Sequence, residues 1–148
     1  MKTGIVQRQN LLANQSVAAS VALVDVVGFS VPVVAGGTYH FRVVLMFNLG
    51  AAGGFRFRLD IPAAPTTYIN ACIAMDGVTP PPGSLICDVQ VAETDFTNAL
   101  AVSGDHYASM EGELVSSVAG DMKLQFACNS AAGNIQLFRG SYFEVTTL

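Results

Sequence analysis

The strongest constraint on this chain is a strict alternation of apolar and charged residues that leaves room for only one local structure. In "GGFRFRLDIP", Phe55, Phe57, Leu59 and Ile61 fall on one side and Arg56, Arg58 and Asp60 on the other. A period of two is the signature of a half-buried β-strand; a helix would need apolar residues three and four apart. Gly53–Gly54 and Pro62 punctuate the run. "TYHFRVVLMF" repeats the arrangement, with Tyr39, Phe41, Val43, Leu45 and Phe47 opposite His40 and Arg42, and Gly36–Gly37 supplies a turn ahead of it. With only "NLGAAGG" between the two runs, a hairpin is the simplest pairing.

Similar runs recur at 21–27, 31–35, 67–75, 85–91, 96–102, 107–118, 121–128 and 134–147, and helical periodicity is almost absent. Turn residues separate them, notably "DGVTPPPGS" at 76–84, whose three prolines favour an extended, stiff connection. Many short strands at even spacing predict an all-β, antiparallel β-sandwich, jelly-roll-like in organisation. One domain over residues 17–148 follows from the length, with no internal repeat. Residues 1–16, "MKTGIVQRQNLLANQS", are rich in amides and alternate little, so they read as an extended N-terminal arm or as an edge strand on the domain's own sheet.

The composition then asks where this chain keeps its surface. Hydrophobic residues make up 51% and charged residues 12%, against about 25% charged in an ordinary soluble domain. A domain of 148 residues has much surface for its volume, so the apolar surplus belongs against a neighbour unless Gly and Ala account for it. A net charge of −4 and pI near 4.8 exclude the basic face of a nucleic-acid binder. The charge is uneven: residues 1–24 hold Lys2 and Arg8 and no acid, while all 11 acids lie from Asp25 onward. The apolar stretch 17–37 is no membrane span, because Asp25 near its middle would cost about 2.5–3.5 kcal/mol there and Pro32 with many valines favours strands. Gln7, Arg8, Gln9 and Asn10 interrupt any signal-peptide core.

Groups that carry chemistry are sparse. His40 and His106 are far apart, and Ser141 lacks a nucleophile elbow. Glu111 and Glu113 would share a strand face, as would Glu93 and Asp95, a spacing open to glycosidase or calcium chemistry but commonplace on solvated strands. Cys72, Cys87 and Cys128 show no CxxC spacing, and their odd number argues for small buried hydrophobes in a reducing compartment rather than a disulfide scaffold or zinc site. The expectation is a non-enzyme without cofactor or metal. Arg56, Arg58 and Arg139, on otherwise apolar faces, suit a subunit interface, with Phe138 and Tyr142 beside the last; ordinary surface arginines are the other reading.

The C-terminal stretch resembles the end of small β-sandwich virion proteins of tailed bacteriophages. Those commonly close with a glycine, a strand of type L-x-[FW]-A-x-N, a turn, and G-S-Y-[LF]-x-V. The matching positions are Gly120, Leu124, Phe126, Ala127, Asn129, Gly140, Ser141, Tyr142, Phe143 and Val145; Cys128 departs from the commoner glutamine. "GGTYHFRVVLMFNLGAAGGFRFRLDI" is similar to the same family's aromatic strand followed by a strand that starts with two glycines. The resemblance implies a homotrimeric capsid decoration (cement) protein that binds the major capsid protein, sits on the virion surface and is assembled in the host cytoplasm. Its alternative is a tail fibre or baseplate module that binds a host receptor or glycan. Under the first reading, Lys2, Ile5, Val6, Arg8, Leu11 and Leu12 of the arm would contact the capsid.

Overall fold

Apolar residues at every second position can be buried together only if their strands stack into layers, and two such layers form here. The computed structural model describes residues 4–50, 54–62, 66–75, 85–91, 96–98 and 103–148. All its regular elements are strands: β1 (Val6–Asn10), β2 (Gln15–Ala18), β3 (Val24–Val33), β4 (Thr38–Leu49), β5 (Phe55–Asp60), β6 (Thr66–Met75), β7 (Leu85–Val91), β8 (Phe96–Asn98), β9 (Gly104–Val115), β10 (Gly120–Cys128), β11 (Asn134–Leu137) and β12 (Tyr142–Thr147). The larger sheet runs β1-β12-β4-β9-β6-β7, with β11 beside β4 and β2 beside β11. The smaller runs β3-β10-β5-β8, and every pairing between strands is antiparallel. The protein is an all-β antiparallel sandwich.

The expected β4–β5 hairpin does not form. β4 pairs with β9, β12 and β11 in the larger sheet, whereas β5 pairs with β10 and β8 in the smaller. The chain crosses between layers after Leu49, so the two apolar faces meet across the core instead of lying side by side. Phe47 stands edge-on to Phe55 and Phe57, with ring centroids 5.5 and 5.2 Å away. Phe41, Val43 and Leu45 of β4, Leu59 of β5, and Met122, Leu124 and Phe126 of β10 are buried with them. Each such side chain contributes about 1.5–3 kcal/mol on burial. The same crossing separates β10 from β11 and β12 at the C-terminus.

The expected strand at 134–147 is broken in two, and the break has a local cause. β11 and β12 occupy successive stretches of the same side of β4, pairing with Phe47–Leu49 and Tyr39–Val44 respectively. Between them Gly140 takes φ +98°, a left-handed conformation suited to glycine. Met46 of β4 would lose its partners at this gap. Phe138 N–H donates to Met46 O at 2.8 Å, and Met46 N–H donates to Ser141 Oγ at 3.0 Å. Ser141, fully buried, also donates to Phe138 O at 2.9 Å.

β3 joins what the sequence separated. It is one strand with a bulge: Lys123 faces Ser30 and Gln125 faces Asp25, leaving Val26–Phe29 opposite Leu124 alone. Gly28 at φ +83° makes the bend, which sends Val26 and Phe29 inward and Val27 out. Pro32 is tolerated because β3 is at the sheet edge.

Of the two readings of residues 1–16, the described part is a strand. Val6–Asn10 pairs with Tyr142–Thr146, and the chain then continues along the C-terminal strands, Leu11 N–H donating to Ser141 O at 2.8 Å and Gln15–Ala18 pairing with β11. The two chain ends are thereby held in one sheet, with β12 between β1 and β4.

Candidate interaction surface

The edges of the sandwich follow from strand order. β1 ends the larger sheet, β3 ends the smaller, and the two strands lie against each other on the same flank. An edge strand leaves a row of backbone donors and acceptors available to another strand. On β3 the bulge partly closes that row: the Gln15 amide donates to Asp25 O at 3.0 Å and accepts from Val27 N–H at 2.9 Å. No strand among the described residues pairs with the outer edge of β1.

This flank is also apolar. Ile5 is 68% exposed, Leu12 83% and Val27 71%, and Val6 stands out beside them. A groove of about 350 Å³ runs between residues 9–15 and Val27–Gly28. The arm residues named from sequence therefore divide. Ile5, Val6 and Leu12 face outward, but Leu11 is 3% exposed and belongs to the core. Lys2 lies outside the described residues. Arg8 is engaged within the chain, its guanidinium 4.0 Å from the Tyr142 ring centroid, Nη1 4.0 Å from Glu144 Oε2 and Nε 3.3 Å from Asn10 Oδ1.

The arginines singled out for an interface do not converge. Arg56 and Arg58 are half-buried on the outer face of the smaller sheet, where Arg56 Nη1 donates to Val21 O at 2.8 Å. Arg139 is exposed in the β11–β12 turn of the larger sheet, its N–H donating to Asn14 Oδ1 at 2.8 Å. Phe138 and Tyr142 flank that turn, half-buried.

Strand register assembles a feature that the sequence reading missed. Across the outer face of the larger sheet, Arg8, Glu144, Arg42 and Glu111 occupy one row, alternating in sign from β1 through β12 and β4 to β9. The next row carries Thr146, His40 and Glu113. His40 Nε2 is 3.0 Å from Glu111 Oε1, which ties the two rows together. Alternation put His40 with Arg42 and Glu111 with Glu113 on the polar faces of their strands, but only register shows that the two pairs are neighbours and that Arg8 and Glu144 extend the row. The pairs are well solvated, so each stabilises by about 0–1 kcal/mol. Their effect is on the pattern of charge a partner would meet.

Glu111 and Glu113 do share a face, as expected, whereas Glu93 and Asp95 lie outside the described residues. Among the described residues no three His, Cys, Asp or Glu side chains gather as metal ligands would. His106 is buried, with its ring 5.4 Å from that of Phe47. On the smaller sheet, Asp25 accepts from Gln125 Nε2 at 2.8 Å and lies 3.4 Å from Lys123 Nζ. The Gln125 hydrogen bond, opposed by partial burial and aided by Lys123, holds the Asp25 carboxyl below its usual 3.8.

No protein-family model matches the sequence, and no curated protein matches it significantly. Among solved structures, the chain is similar to one from infectious bursal disease virus, Gx strain, at 13% identity and a TM-score of 0.24. The match covers 97% of this chain and 40% of that one, so this chain spans about two fifths of its neighbour's length. A likeness this slight bears on neither fold nor function.

Proposed function

We propose that this chain is a non-enzymatic structural protein of a phage virion, a capsid decoration protein that trimerises and binds the major capsid protein to stabilise the shell. The observation that carries the reading is the flank built by β1 and the β3 bulge. There an open strand edge and the exposed side chains of Ile5, Leu12 and Val27 coincide, in a chain with only 12% charged residues. Apolar surface of this kind is stabilised by a neighbour. The resemblance at the C-terminus supports the virion assignment. Its residues Leu124, Phe126, Ala127, Ser141, Phe143 and Val145 are buried, so it speaks for the sandwich and leaves partner contacts to the flank. Three linked copies would bind a shell through raised effective concentration, each contact needing only modest affinity.

The test uses virions stripped of the chain and then given it back. Returned wild-type chain should sediment with the particles and restore their resistance to heat, and the free chain should run at trimer mass. The Ile5→Asp/Leu12→Asp variant should stay folded, because both positions are exposed, and should fail to sediment with particles. A chain that stays at single-chain mass and leaves stripped particles as fragile as before overturns the proposal.

A further inference from the structure

The far edge of the larger sheet brings together two cysteines that lie 15 positions apart in sequence. β6 and β7 pair so that Cys72 is directly opposite Cys87, flanked in register by Ala71↔Asp88 and Ile73↔Ile86. We propose that Cys72 and Cys87 are a site of cross-strand disulfide formation, with Cys128 left out as a thiol.

Directly opposed residues of an antiparallel pair have Cα atoms about 4.5–5.5 Å apart, inside the roughly 4.4–6.8 Å that a disulfide spans. They also share a sheet face. Diagonal neighbours would be about 7–8 Å apart, and a slip of one residue would put the two on opposite faces. The proposal therefore depends on this register and on no other.

The third cysteine differs in kind. Cys128 ends β10 in the smaller sheet, is fully buried, and its Sγ is 3.4 Å from Val17 O. Cys72 belongs to β6 of the larger sheet, in the register row of Ser109, Val44 and Tyr142. An odd cysteine count argued against complete pairing, but it permits one pair and one sealed thiol, and the topology sorts the three that way.

The chemistry requires an oxidant, here a low-molecular-weight disulfide such as oxidised glutathione. The thiolate of one cysteine attacks a glutathione sulfur, forming a mixed disulfide and expelling one glutathione thiolate. The second cysteine, deprotonated, then attacks the protein sulfur and expels the other. The protein loses two protons and two electrons, and the oxidant gains them as two glutathione thiols. The product joins β7, an edge strand, to its neighbour and closes the chain around residues 76–84, which restricts the unfolded state more than the folded one.

The full chain, reduced and then incubated with oxidised glutathione, should lose the mass of two hydrogen atoms. Peptide mapping should give a Cys72–Cys87 link, and a single thiol should remain, alkylated only after denaturation. The Cys128→Ser variant should form the same link. Cys87→Ser should instead stop at the glutathione adduct. The oxidised wild type should melt at a higher temperature than the reduced form, and the Cys87→Ser variant should show no such rise. Three free thiols after oxidation, separate glutathione adducts on Cys72 and Cys87, a link that uses Cys128, or a link between chains would each overturn the proposal. None of these outcomes depends on whether the chain binds a shell.

Discussion

Replacing Phe47 by alanine tests the packing on which the sandwich rests. Phe47 is fully buried on β4, and its ring meets Phe55 and Phe57 of the opposite sheet. Removing the ring forfeits about 1.5–3 kcal/mol of transfer free energy. A cavity of roughly 100 Å³ at about 24 cal/mol per Å³ adds about 2 kcal/mol if the surroundings do not collapse. The sum, about 4–5 kcal/mol, is a large share of a domain stability of about 5–15 kcal/mol. Urea unfolding at fixed protein concentration reads the change. With a slope of about 2 kcal/mol per M, the midpoint should fall by about 2 M. Phe47→Leu, which refills much of the space, should lose less than half as much. A double-mutant cycle with Phe57→Leu should show a coupling of about 0.5–1.5 kcal/mol for the edge-on pair. If Phe47→Ala costs no more than Val27→Ala at the exposed bulge, or if the cycle shows no coupling, the two sheets do not face each other as described.

Two further changes probe the turn and the smaller sheet. Ser141→Ala removes the acceptor of the Met46 N–H and should cost about 1–3 kcal/mol in the same urea assay, whereas Ser16→Ala on the surface should change stability by less than about 0.5 kcal/mol; equal effects would deny Ser141 its part in the turn. Because the folded Asp25 carboxyl lies below its usual 3.8, its contribution is complete above that value and is lost as pH falls through the folded value. Wild type should therefore lose more stability than Asp25→Asn on acidification below pH 3.8. The difference should be small because the carboxylate is half exposed; parallel acid curves would refute the linkage.

The sequence by itself determined that the chain is built of strands and, where apolar and polar residues alternate strictly, which way their side chains face. In β5 and β4 alternation places Phe55, Phe57, Phe41 and Phe47 inward, and the structure buries all four. That information is local, because the pleat repeats every two residues whatever lies alongside. Pairing is not local. Two adjacent strands with matching apolar faces can lie side by side or face to face, so β4 and β5 read as a hairpin although they sit in opposite layers. The same limit hid the break between β11 and β12, which depends on what Met46 finds across the gap at Ser141. It also hid the charge row Arg8–Glu144–Arg42–Glu111 and the opposition of Cys72 to Cys87. Each arises from strand register, and register is decided when the layers pack and the edges find partners.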